Sequence, residues 1–127
     1  AEPDFVNTWP LHCIAGESGA EYHPNLDVSL IDIHIKKGQG QHGYSIFEGI
    51  TDTGEAIQDL LTRLSITEVD VVGIATDYCV RASALDANNF GLAVRVITSL
   101  TAGVAATSTE AAIDELVDAG VKVVATA

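Results

Sequence analysis

Basic residues are scarce in this chain: six Lys and Arg stand against 18 Asp and Glu in 127 residues, giving a net charge of −12. Binding a phosphate backbone needs clustered cations, so charge argues against a nucleic-acid partner. Cysteine is rarer still, with two. Cys13 and Cys79 have no metal-knuckle spacing and form no disulfide framework, so a reducing cytoplasm is the expected compartment, although one disulfide between them stays open. No apolar run approaches the roughly 20 residues that span a bilayer. The opening AEPDFVNTWP lacks the basic and apolar parts of a signal peptide, so neither export nor membrane contact is expected. Only three prolines and a hydrophobic fraction of 47% argue against disorder. The length suits a single domain over residues 1–127, able to bury a real core.

Four β-rich runs stand out: Leu30 to Ile35, Val69 to Ala75, Ala93 to Thr98 and Val121 to Ala125. The middle two are nearly continuous in Val, Ile and Ala, as in strands covered on both faces. Between the runs lie helical patterns. Ala56, Ile57, Leu60, Leu61 and Leu64 share one stripe, with Gly54 before it. A second helix runs from Cys79 to about Asn89. The last starts at Thr107-Ser108-Thr109-Glu110, which has capping-box spacing, turns Ala112, Ile113, Leu116 and Val117 inward, and stops at Gly120. The alternation predicts an α/β three-layer sandwich with a parallel, Rossmann-type sheet and right-handed crossovers. WPLHCIAGESGAEYHPNL, near the start, keeps no period and reads as an ordered loop; long irregular segments of this kind often carry function.

In GIATDYCVRASALDANNFG, residues 73–91, a strand turns through Ala75-Thr76-Asp77-Tyr78 and meets Cys79 where a helix could begin. Ligands of open α/β sheets bind beyond the carboxyl ends of strands. A sulfur at a helix start lies near unpaired N–H groups and the positive end of the helix dipole, which favour thiolate, the nucleophilic form. The N–H groups of Ala75 and Cys79 could converge on a carbonyl oxygen as an oxyanion hole for acyl transfer. By itself the pattern also fits a small buried cysteine that reacts with nothing.

VVGIATDYCVRASALDA followed by LTAGV, with TWPLHC, GAEYHP, KKGQGQHGYSIFEG and the last helix and strand, resembles the nicotinamidase/pyrazinamidase group of the isochorismatase-like cysteine hydrolases along essentially the whole chain. The resemblance implies hydrolysis of nicotinamide to nicotinate and ammonia, pyrazinamide being accepted too, through a thioester on Cys79, with a cis peptide at Ile74–Ala75. It implies a catalytic lysine, which the spacing to Tyr44 places at Lys37; strand alternation puts Lys37 on the face of Ile33 and Ile35, away from a solvent-facing Lys36. It implies that His12 ligates a divalent metal (zinc, iron or manganese) and that Trp9, Tyr44, Ile74 and Tyr78 line the substrate pocket. Ile46 departs from the small residue usual in the family's YSGF or YSAF. Cys13 reads as buried packing, Asp77 as a residue shaping its turn, and His23 and His34 match no role.

The family's N-terminal strand bearing DxQxDF, with its general acid/base aspartate, and the D-x-H pair of its metal site have no counterpart here. The missing strands would lie between Leu30–Ile35 and Val69–Ala75. The expectation is therefore that an N-terminal segment is supplied, as a separate chain or as residues absent from this sequence, and that the sheet otherwise exposes apolar edges. Asp4, Asp32 and Asp77 match no catalytic position. The partners expected are a small carboxamide, that segment, and a second copy of the chain in a homo-oligomer. The alternatives are another isochorismatase-like hydrolase, acting on isochorismate or a carbamoyl amide, or a non-catalytic remnant that binds without turnover.

Overall fold

The computed structural model describes residues 2–38 and 43–127, so four residues of KKGQGQHGYSIFEG lie outside the described residues. The chain forms two compact units, 1–32 and 33–127. The first is irregular, as its lack of period predicts. Its Asp4 carboxylate accepts the N–H groups of Val6, Asn7 and Thr8 at 2.8, 2.8 and 2.9 Å, and these bonds hold its pKa at about 2. Single 3-10 turns follow at Ser18–Ala20 and Val28–Leu30.

The second of those turns corrects one expected strand. Asp27 accepts from both the N–H and the hydroxyl of Ser29, which bends the backbone where Leu30 to Ile35 should extend. Leu30 is left 79% exposed. Only Ile35–Lys36 (β1) is strand, paired antiparallel with Ile50–Thr51 (β2) and not part of the parallel sheet.

From there the elements alternate as the sequence predicts: helix α1 (Ile57–Arg63), strand β3 (Glu68–Ile74), a π-helical turn at Thr76–Val80, helix α2 (Arg81–Asn89), strand β4 (Ala93–Ala102), helix α3 (Ala106–Ala119) and strand β5 (Lys122–Val124). The sheet is parallel in the order β3-β4-β5 and has flanking helices, an α/β sandwich. Val94 and Val96 of β4 meet Ile57 and Leu61 of α1, Ala84 and Ala87 of α2, and Leu116 of α3 in one core. Small residues on α2 let it approach the sheet closely. Gly120 ends α3 in the left-handed conformation, φ 98°, with its own N–H on Val117 and that of Val121 on Leu116.

Three expectations change. β3 is an edge strand, and its exposure alternates: Val69 and Val71 are half-buried while Asp70, Val72 and Ile74 face outward, so the described residues cover one of its faces. On α3, Val117 is 55% exposed, leaving Ala112 and Leu116 as the inward stripe. The helix also starts at Ala106, which puts Thr107 inside it, so no capping box forms; its N-cap residue, Ala105, has no capping side chain.

Fork-like ion pairs of Arg95 with Asp70 across β4 and β3, and of Arg81 with Glu115 between α2 and α3, align these elements. Half-exposed pairs of this kind contribute about 0–1 kcal/mol, so the apolar core carries the stability. Both cysteines are free thiols. Among the described residues no helix is long and apolar enough to cross a membrane.

Because Leu116 is fully buried at the centre of the core, Leu116→Ala is expected to cost about 2–5 kcal/mol, measured by denaturant unfolding.

Candidate active site

The site forms where β3 ends. After the cis peptide Ile74–Ala75 the chain enters the turn Thr76–Val80, whose N-cap is Ala75; the Ala75 carbonyl accepts the N–H groups of Tyr78 and Val80, both at 3.0 Å. Cys79 therefore lies within the first turn of a helical segment that begins three residues before it and runs on into α2, and does not itself open the helix. Its thiol is half-buried.

Lys37, just after β1, reaches this sulfur: its Nζ is 3.2 Å from Cys79 Sγ. The same ammonium donates to the carbonyl oxygens of Tyr44 and of Gly43, the latter at 3.5 Å. An ammonium has three hydrogens and no lone pair to accept with, so two carbonyls and the sulfur occupy its whole donor set. A charge-assisted bond of this type is strongest when the acceptor is an anion. Lys36 turns the other way and lies 3.7 Å from Asp52 in solvent.

The carbonyls that hold Lys37 are themselves secured. Ser45, buried, caps a 3-10 turn at Ile46–Glu48 by accepting the N–H of Phe47, and the Ile46 N–H donates to the buried Ser83 hydroxyl of α2 at 2.8 Å. The Glu48 carboxylate folds over Gly43: a Cβ there would stand 1.6 Å from one of its oxygens, so any side chain at that position would displace it. A cavity of about 410 Å³ opens beside the sulfur, lined in part by Lys37, Tyr44, Ile46, Ile74, Cys79 and Ser83. Tyr44 and Tyr78 rings pack at 5.2 Å beside it. The volume admits a small aromatic amide.

Of the residues singled out in the sequence, the structure thus gathers Cys79, Lys37, Tyr44, Ile74, Ala75 and Tyr78. Trp9 and His12 belong to the first unit. Trp9 packs edge-on against Phe5, with ring centroids 6.0 Å apart, and His12 is exposed. His12 Nδ1 is 2.7 Å from the Pro10 carbonyl oxygen. A carbonyl can only accept, so Nδ1 carries the proton and the Nε2 lone pair of the neutral ring is left for a ligand. One donor does not make a metal centre: among the described residues no group of three His, Cys, Asp or Glu side chains is arranged to hold an ion. Cys13, expected to be buried, is exposed in a turn and has positive φ.

Sequence reasoning missed two contributors, Ser83 and Thr76, and named a third, Asp77, without its partners. Ser83 looks like any small residue of a helix. The Thr76 hydroxyl donates to that of Thr101 at 2.8 Å, through a register shift in β4 that places Thr101 opposite Gly73. The Asp77 carboxylate, 6% exposed, accepts the N–H groups of Val104 and Ala105 at 2.9 and 3.2 Å and the Ser108 hydroxyl. Burial pushes the Asp77 carboxyl up, but the bonds from Ser108, Val104, Ala105 and its own N–H outweigh that and leave its pKa below the ordinary value.

The profile of the isochorismatase domain matches residues 2–127. The chain is 48% identical over 122 residues to the nicotinamidase/pyrazinamidase of Mycobacterium tuberculosis (strain ATCC 25618 / H37Rv), a match covering 96% of this chain and 66% of the relative. It is 38% identical to the nicotinamidase of Escherichia coli (strain K12), over 76% of this chain and 46% of that protein. Its fold is similar to the crystal structure of PnC1 from L. infantum in complex with nicotinate, at a TM-score of 0.82 and 37% identity over 91% of this chain and 60% of that one. It is likewise similar to the pyrazinamidase of Pyrococcus horikoshii in complex with zinc, at a TM-score of 0.76 and 34% identity over 91% and 62%. The chain thus spans less than two thirds of the length of each of these proteins.

A carboxyl whose folded-state pKa is depressed adds stability above its unfolded-state pKa and loses it as the pH falls through the folded-state value. The stability advantage of the parent chain over Asp77→Asn is therefore expected to be full above about pH 5 and to shrink below pH 3.8, the ordinary value for this group, as read from melting temperatures across that range.

Proposed function

We propose that this chain, which belongs to the isochorismatase domain family, carries the nucleophile of a nicotinamidase that hydrolyses nicotinamide to nicotinate and ammonia and also accepts pyrazinamide. The observation that carries this reading is the Lys37 ammonium 3.2 Å from Cys79 Sγ beside a cavity of suitable size. The nicotinamidase and pyrazinamidase names of the similar proteins support the choice of substrate.

In this reading Cys79 Sγ attacks the carboxamide carbon. The C–S bond forms as the carbonyl π pair moves onto oxygen, where the Ala75 and Cys79 N–H groups receive it. The pair returns, the C–N bond breaks, and nitrogen leaves as ammonia after taking one proton. Water then adds to the thioester carbon and the C–S bond breaks, which releases nicotinate and restores the sulfur; of the two protons that water gives up, one returns to the group that protonated the nitrogen and one goes to the ammonia. Lys37 holds the sulfur as an anion before attack. Tyr44, Tyr78 and Ile74 bound the ring.

Two parts of the reaction need groups from elsewhere. The departing nitrogen requires an acid, yet the Asp4 carboxylate is committed to N–H groups of its own turn and that of Asp77 to N–H groups of the loop before α3. We assign the acid to the portion of the longer relatives that this chain does not cover, supplied as an N-terminal segment or separate chain that also adds strands at the free edge of β3. His12 Nε2 would be one ligand of a divalent ion whose remaining ligands come from that same portion. No step above runs through the metal. The setting proposed is the cytoplasm, whose reducing poise keeps Cys79 a thiol.

Joined to the uncovered portion of the Mycobacterium tuberculosis relative, the chain is expected to release ammonia from nicotinamide. Cys79→Ala should abolish the release, and Lys37→Ala should lower kcat by about 10²–10³-fold, the usual cost of one lost electrostatic contact at a reacting centre. Absence of ammonia from the joined chain, or turnover that survives Cys79→Ala, contradicts the proposal and favours a module that binds without catalysis.

A further inference from the structure

Asp77 is a buried carboxylate two residues from the nucleophile, and none of the ion pairs among the described residues includes it. Burying a carboxylate is costly unless donors replace its water. Apart from its own N–H, its donors come from one place, the loop before α3 and the first turn of that helix: Val104 N–H on one oxygen, Ala105 N–H and the Ser108 hydroxyl on the other. Asp77 thereby binds the start of α3 from a distance: it meets the N–H of the N-cap residue Ala105 and the Ser108 hydroxyl, though not the first-turn N–H groups that a capping side chain at Ala105 would meet. Its neighbour Thr76 bonds to Thr101 at the end of β4, and the Thr101 hydroxyl in turn donates to the Thr98 carbonyl at 3.0 Å. The loop lies tightly against the helix it precedes: a Cβ on Gly103 would stand 1.8 Å from the Thr109 hydroxyl.

The turn that carries Cys79 is therefore fastened on one side to β4 and α3 by Thr76 and Asp77. The ammonium that meets the sulfur arrives on a different support, β1 and the loop at Gly43 and Tyr44. The separation of sulfur and ammonium depends on both supports, which meet at α2 through the Ile46 N–H bond to Ser83. A shift of about 1 Å in either anchor is enough to lose a contact of this kind.

We propose that Asp77 is a positioning residue: through Val104, Ala105 and Ser108 it holds the nucleophile turn where Cys79 Sγ meets Lys37 Nζ. The inference rests on Cys79 and Lys37 acting as a pair, as in the function proposed above. It assigns to Asp77 an effect on the reactivity of the sulfur, in addition to its effect on the stability of α3.

The test is a double-mutant cycle read by the rate at which iodoacetamide alkylates Cys79, in a Cys13→Ser background and at a temperature where every variant is folded by circular dichroism. Lys37→Met is expected to slow alkylation of the parent by about tenfold or more, through loss of thiolate. In an Asp77→Asn background the same Lys37→Met change is expected to alter the rate less than about twofold, because the contact is already lost. If Asp77→Asn proves unfolded, Ser108→Ala removes one donor of three and should give the same non-additivity at smaller amplitude. A Lys37→Met effect of full size in the Asp77→Asn or Ser108→Ala chain, with melting temperature reduced, overturns the proposal and leaves Asp77 as a support for the start of α3 alone. No effect of Lys37→Met in the parent overturns the Lys37–Cys79 pairing itself, and with it both readings.

Discussion

A lysine ammonium that gives two hydrogens to backbone carbonyls and the third to a cysteine sulfur is a demanding arrangement, because nothing in it is local. Gly43 and Tyr44 supply the carbonyls from one loop, Cys79 the sulfur from another segment, and Lys37 the charge from the end of a two-residue strand. Half-buried, the ammonium exchanges water for these three acceptors, and the exchange is favourable only while all three stay in reach. The rest of the second unit can be understood as what keeps them there.

Two supports do this. On the lysine side, the Ser45-capped turn and the Ile46 to Ser83 hydrogen bond lock the carbonyl loop onto α2. On the cysteine side, β3 delivers the chain to the cis peptide and the π-helical turn, and the paired tethers of Thr76 and Asp77 bind that turn to β4 and α3. The parallel sheet and its core of Val94, Val96, Ala84, Ala87 and Leu116 hold the two supports in one body. α2 belongs to both, since Ser83 faces the loop and Ala84 and Ala87 the core.

Elements with their own local signal were legible in the sequence. The repeated exchange of period two for period 3.6 from Ile57 to Val124 predicts the order of helices and parallel strands, and Gly120 marks the end of α3 before any coordinates are considered. Resemblance singled out Cys79, Lys37 and the Ile74–Ala75 peptide, and the first two are brought together in space. Properties that depend on partners distant in the chain were not legible. Leu30 to Ile35 has strand composition, but Asp27 bends it and no parallel neighbour among the described residues completes it. Thr107 to Glu110 has capping-box spacing, yet the start of the helix is bound by Asp77, 31 residues before Ser108. A carboxylate in a turn gives no hint in sequence of which helix it will serve.

The chemical claim beneath all of this is that an acyl group is carried on the sulfur of Cys79. The most direct test is peptide mapping by mass spectrometry of the chain, joined to the portion of the relative that it lacks and quenched with acid during turnover of nicotinamide. The account predicts a nicotinoyl group on the peptide that holds Cys79, absent when that residue is alanine. Turnover with that peptide unmodified, or with the acyl group on Cys13, would contradict it.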